Sequence, residues 1–191
     1  GNIESLRLEQ NKIGPMKLPA NKEIVLNGIE GNSMELSIEL NHKNAPMIEI
    51  NVLRSPKKEE FTRISYFNKR GFKYQSSVQN NNKSVNVMSS ALAELVRHES
   101  VISVDTSYSS ILPDVLSRAP ESAPISLGEE ESIKLRVFVD KSILEVFVNE
   151  IQCISVRVYP SLKNSTGVSF RSQGKDAELI SLNSWQMKNI F

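Results

Sequence analysis

The chain of 191 residues has one cysteine, one tryptophan and two histidines. No apolar run approaches the ~18 residues of a membrane-spanning helix, so no membrane span is expected. Cys153 has no intrachain partner for a disulfide, and its alternating surroundings predict a buried thiol that packs as a small hydrophobe. With only His42 and His98 beside it, a zinc site of three or four ligands is not expected. Calcium would need clustered acids around a glycine turn; Gly128-Glu-Glu-Glu131 reads instead as a charged loop ahead of a strand. No Gly-x-Ser-x-Gly elbow is present, so a Ser-His-Asp triad lacks its best-marked sequence frame. Neither sign of charge dominates: 23 basic against 22 acidic residues leave a net +1. That balance argues against nucleic acid or an anionic membrane as partner, and Lys57-Lys58 and Lys69-Arg70 read as solvated turns. No cofactor is expected. The opening Gly1-Asn2-Ile3-Glu4 carries no initiator Met or export signal and reads as a cloning remnant ahead of an internal fragment.

What the chain does have is period-two alternation, bounded by Gly, Asn and Pro. It predicts strands at 24–29, 33–41, 47–54, 61–68, 72–78, 101–106, 133–140, 142–149, 154–159, 167–172 and 177–187. In Ile133-Lys134-Leu135-Arg136-Val137-Phe138-Val139 every odd position is a branched aliphatic, which makes one buried face. Asp140-Lys141-Ser142 and Asn149-Glu150 leave room only for tight reversals, so the three strands around them should form an antiparallel meander that Pro160 ends. One segment, 89–98, offers serine caps followed by helix formers with Leu92, Leu95 and Val96 on one stripe, and predicts a short helix. The polar run 79–84 and the proline-bearing 117–128 read as loops. Many strands and at most one helix predict a single domain, 1–191, built as an all-β two-layer antiparallel sandwich of the concanavalin or jelly-roll type.

Four stretches then resemble a known family. Leu135-Arg-Val-Phe-Val-Asp-Lys-Ser-Ile-Leu-Glu-Val-Phe-Val-Asn149, followed by Ser155-Val-Arg-Val-Tyr-Pro160, is similar to the C-terminal module of glycoside hydrolase family 32, the β-fructosidases that include invertases, levanases and inulinases. Glu4-Ser-Leu-Arg7 resembles the segment that leads from the family's propeller into its sandwich. Asp105-Thr-Ser-Tyr-Ser-Ser110 with Leu112-Pro-Asp-Val115, and the ending Leu182-Asn-Ser-Trp185-Gln-Met187, resemble two further family segments in the same order. The segment from Gln79 to His98 departs from the pattern. The resemblance implies a sandwich packed on a five-bladed catalytic propeller of the same polypeptide, a secreted or periplasmic parent enzyme acting on sucrose or fructans, and oligomer contacts as in some members. The family's catalytic acids lie in Asn-Asp-Pro-Asn, Arg-Asp-Pro and Glu-Cys strings. None occurs here, and Cys153 follows Gln152.

Chemistry within the chain would need two facing carboxyls. Asp105, Asp114, Asp140 and Glu145 are the candidates, and Asp140 at a hairpin turn reads as structural. Glu145 shares a face with Ile143 and Phe147 and is expected to form an ion pair with Arg136 or Arg157 on a neighbouring strand. Tyr66, Phe67, Phe72 and Tyr74 gather about a turn at 68–71 as a candidate sugar platform, whereas Trp185 is expected in the core or at a domain interface. Three roles follow: an accessory domain that stabilises the propeller, a carbohydrate-binding module for fructans, or a protein-interaction sandwich unrelated to sugars.

Overall fold

A computed structural model describes residues 2–74, 96–115, 118–128 and 131–188, with backbone alone at 71–74 and 96–98. A short 3-10 turn, η1 (Ile3–Leu6), leads into thirteen strands: β1 (Arg7–Ile13), β2 (Met16–Leu18), β3 (Glu23–Glu30), β4 (Ser33–Asn41), β5 (Met47–Arg54), β6 (Thr62–Tyr74), β7 (Val96–Asp105), β8 (Glu121–Ile125), β9 (Ile133–Asp140), β10 (Ile143–Val148), β11 (Gln152–Arg157), β12 (Gly167–Gln173) and β13 (Ala177–Met187). They form two antiparallel sheets. Sheet A runs β1-β13-β4-β9-β10-β11, with β2 also on β13; sheet B runs β3-β12-β5-β6-β7-β8. The expected two-layer sandwich is therefore the fold.

Alternation sets the layers. In β4 the even positions Met34, Leu36, Ile38 and Leu40 are buried, and in β9 Ile133, Leu135, Val137 and Val139 are. They face Ile48, Ile50, Ile64, Ile102 and Phe170 of sheet B in one core cluster. Leu36→Ala should cost about 2–5 kcal/mol, because a fully buried side chain leaves a cavity as well as its transfer energy; a urea titration that loses less than ~1 kcal/mol would contradict this placement.

The meander is β9-β10-β11. Its second turn, 149–151 between the paired Val148 and Gln152, holds Asn149 and Glu150 at left-handed φ of 46° and 59° and is closed by Ile151 N–H donating to Val148 O at 3.0 Å. Elsewhere the structure corrects the sequence reading. The strand expected at 61–68 and the described part, 72–74, of the strand expected at 72–78 are one strand, β6, and 68–71 is a bulge rather than a reversal, since β7 pairs on both sides of it; 75–78 lie outside the described residues. The helix expected at 89–98 ends as strand: 96–98 belong to β7 and pair with 72–74, so sheet pairing overrides local helix preference, while 89–95 lie outside the described residues. Within the expected loop 117–128, β8 forms at the outer edge of sheet B, the one position where Pro124 removes no ladder bond. β1 and β2 escaped because β1 is almost wholly exposed and shows no apolar alternation. Cys153 is exposed, against expectation: it is opposite Phe147 on the outward face, and its neighbour Ile154 takes the core position.

Candidate functional site

Two fully buried carboxylates organise the surface near one end of the sandwich. The register places Arg7, Met187, Ser33, Asp140, Ile143 and Arg157 together at one end of sheet A. At that end the connection from β3 to β4 passes between the sheets, and Gly31 N–H extends the β3–β12 pairing by donating to Thr166 O at 2.9 Å.

The first carboxylate is Glu35. It occupies an outward position of β4, yet is wholly buried. Arg7 grips it with two bonds, Nε to Oε2 at 2.8 Å and Nη2 to Oε1 at 2.7 Å, and Arg136 Nε donates to Oε1 at 2.7 Å. Burial alone would raise its pKa; the bonds from Arg7 and Arg136 outweigh that and hold it below the usual carboxylate range. The Arg7 guanidinium also lies 4.0 Å above the Trp185 ring, and Arg136 sits 4.9 Å above Phe138. This arrangement ties η1 to the last strand.

The ion pair expected at Glu145 is thus placed elsewhere. Arg136 is diagonal to both Glu35 and Glu145, each opposite Phe138 on a different neighbour strand. It goes to the buried carboxylate, whose desolvation is costlier to leave unmatched. Glu145 accepts instead from Ser155 Oγ at 3.3 Å, and Arg157 makes no ion pair among the described residues.

The second carboxylate is Glu60. Ile111 N–H (2.9 Å), Ser161 N–H (2.9 Å), Leu162 N–H (3.0 Å) and Ser165 Oγ–H (2.7 Å) all donate to it, as does the Ser161 hydroxyl. Burial pushes its pKa up, but these donors win and bring it down to about 2. One carboxylate therefore stitches together two loops far apart in sequence. Those loops hold Tyr108, Ile111, Leu112 and Tyr159, which are 52%, 53%, 46% and 49% exposed. Tyr108 stacks on Phe61, ring centroids 5.0 Å apart, and Phe61 N–H donates to Tyr108 O. Ile3 and Ile143, also exposed, lie at the same end. Tyr108, Ile111, Leu112 and Tyr159 thus form an apolar patch on the loops that Glu60 joins.

A third carboxylate, Glu23, ties β3 to Arg54 (3.0 Å), Lys58 (3.1 Å) and Ser169 (2.6 Å); burial opposes its ionisation, yet these partners lower its pKa to about 2.

Of the residues of the candidate sugar platform, Tyr66 faces inward: it is buried, alternating in phase with core Ile64, and its hydroxyl bonds Ser100 Oγ at 3.0 Å. The side chains of Phe72 and Tyr74 lie outside the described residues. Trp185 is half-buried, and its ring face carries Arg7 rather than open space. Of the candidate acids, Asp105 accepts from Ser107 N–H at 2.9 Å in a local turn, and Asp140 stands exposed beside the β9–β10 turn. His42 Nδ1 accepts from Asn44 N–H at 3.0 Å; the side chain of His98 lies outside the described residues. Among the described residues no three of His, Cys, Asp and Glu converge as metal ligands, and no helix is long and apolar enough to cross a membrane. Glu35 and Glu60 were not singled out from the sequence. For Glu35 the signal available was a lone carboxylate between apolar neighbours, Met34-Glu35-Leu36; Glu60, in the charged run Lys57-Lys58-Glu59-Glu60, carried no such signal.

Residues 2–186 match the family model described as "Glycosyl hydrolases family 32 C terminal". Similar solved structures include fructan 1-exohydrolase IIa from Cichorium intybus (17% identity, TM-score 0.76, 98% of this chain and 37% of that one). Exo-inulinase from Aspergillus awamori is 14% identical with TM-score 0.67, over 100% and 32% of the two chains. Aspergillus kawachii β-fructofuranosidase is 18% identical with TM-score 0.68, over 96% and 28%. The chain thus spans about a third of the length of these enzymes, and the likeness is one of fold. No curated protein sequence matches it.

Proposed function

The chain belongs to glycosyl hydrolases family 32 as a C-terminal domain, its catalytic domain being a separate part of the same polypeptide, and on that premise we propose that it is a non-catalytic accessory domain which stabilises the catalytic propeller. The parent would be a secreted enzyme acting on sucrose or fructans. Neither sugar crosses a bilayer unaided, so an extracellular or periplasmic place of action suits the parent.

The observation that supports this role is the apolar patch of Tyr108, Ile111, Leu112 and Tyr159. A C-terminal domain joins its neighbour through its N-terminal side, and η1, held by Arg7 and Glu35, enters at the same end as the patch. Burying that end against the neighbour removes apolar surface from water at ~25 cal/mol per Å2. Docking a second copy there is the competing outcome.

In the full-length protein, Ile111→Asp together with Leu112→Asp should lower the thermal midpoint by several degrees. The same pair in the isolated 191-residue chain should change stability by no more than ~0.5 kcal/mol, as for other exposed positions. Equal effects in both would remove the patch from the interface. The isolated chain should release no fructose from sucrose, inulin or levan, and measurable turnover would overturn the non-catalytic role.

A further inference from the structure

Beside the apolar end, between β7–β8 of sheet B and β10–β11 of sheet A, lies a cleft of about 780 Å3. That is within the ~300–1,000 Å3 typical of small-ligand sites. Asp114, Arg118, Glu121, Glu145, Arg157 and Tyr159 line it. Of the five charged side chains none has an ion-pair partner among the described residues; Glu145 is half-buried and Asp114, Arg118, Glu121 and Arg157 are exposed, so their polar atoms are open to a ligand. Glu145 has a single bond, the one from Ser155.

We infer that this cleft binds a neutral oligosaccharide, of the fructan class if the parent is the enzyme proposed above, on which this inference rests. Two guanidiniums and three carboxylates of mixed sign offer no consistent field for an anion or a cation. They do offer donors and acceptors side by side, which is what vicinal hydroxyl groups require: each hydroxyl both donates and accepts. Carboxylates and guanidiniums make the stronger, charge-assisted bonds. Ile143, exposed in the cleft wall, provides apolar surface against which the C–H face of a sugar ring packs. Tyr159 stands at the boundary between the cleft and the apolar patch, so a chain seated in the cleft runs beside the domain junction. That position suits a distal part of a polymer whose end is being cleaved next door, and the site would act on affinity for long chains.

The test uses full-length protein and compares KM for inulin, counted per chain end, with KM for sucrose. In the wild type the inulin value should be the lower of the two. Arg157→Ala and, as the volume-conserving change, Glu145→Gln should each raise the ratio of inulin KM to sucrose KM about tenfold, the loss of one charge-assisted bond to the ligand. Arg157→Lys should recover part of it. A ratio that stays at the wild-type value, or a wild type with no advantage for the longer substrate, would overturn the site while leaving the accessory role intact. Absence of turnover on both substrates would overturn the reading of the parent and the site with it. Thermal midpoints measured on the same samples separate loss of folding from loss of binding. If Arg157→Ala fails to fold, the Glu145→Gln ratio decides.

Discussion

Glu60→Gln is expected to be among the most damaging single substitutions in this domain, lowering stability by about 3–5 kcal/mol and the thermal midpoint by ~10 °C. The carboxylate is fully buried and is met only by donors: three backbone N–H groups and the hydroxyls of Ser161 and Ser165. An amide of the same size turns one acceptor into a donor, leaving N–H groups facing N–H groups in a place water does not reach. The damage should be local first. Amides at 109–112 and 161–165 should lose protection from hydrogen exchange before β9 and β10 do. The same carboxylate gives the domain an acid limit. Its pKa is about 2 when folded, below the ordinary value of 4.5 that an unfolded chain restores. The stabilisation is therefore complete above about pH 5 and is lost as pH falls through the folded value; it amounts to roughly 3 kcal/mol from this one group. Glu23, lowered likewise to about 2, acts in the same window. Denaturant titrations between pH 7 and pH 2.5 should show Glu60→Gln with the shallower dependence; parallel curves would refute the assignment.

Glu35→Ala should cost about 3–5 kcal/mol for a different reason. Removing the carboxylate strands Arg7 and Arg136 against each other beside Trp185 and Phe138, and Arg136 Nη2 is already buried without a partner. The loss is a penalty for unmatched charge rather than the worth of the ion pairs. Replacing Arg7, Glu35 and Arg136 together by Met, Leu and Met should consequently recover most of it. Arg136→Ala alone should cost at most about 1 kcal/mol, since its side chain is 40% exposed. If the triple variant is as unstable as Glu35→Ala, the effect is packing and not electrostatics. The triad also fixes how η1 leaves the sandwich, so in the full-length protein Glu35→Ala should loosen the junction as well as the domain.

How much of this could be read from residues alone depended on whether the information was local. Strands 33–41, 47–54, 133–140 and 177–187 coincide with β4, β5, β9 and β13, because alternate side chains there enter one core and the period is unmistakable. β1 and β8 were not legible: an edge strand with a solvated face needs no apolar rhythm, and Pro124 reads as loop until the edge is known. Cys153 was misplaced by one step of phase, an error that Ile154 could have corrected. Glu145 drew attention because both arginines lie nearby in sequence. Glu35, about a hundred residues from Arg136, takes that arginine because sheet order places β4 beside β9. Glu60 joins loops that only the closed sandwich brings together. Buried charge of this kind is a property of topology, and the surface it organises was invisible for the same reason.

The role proposed for the domain rests on the apolar end being covered by the rest of its own polypeptide. Hydroxyl-radical footprinting of the full-length protein against the isolated 191-residue chain measures that directly. Tyr108, Ile111, Leu112 and Tyr159 should be oxidised readily in the isolated chain and protected severalfold in the full-length protein, while Phe147 and Ile151, exposed away from that end, react alike in both. Equal oxidation of the four residues in the two proteins would mean that this end faces solvent, and that the domain supports its neighbour by some other surface or not at all.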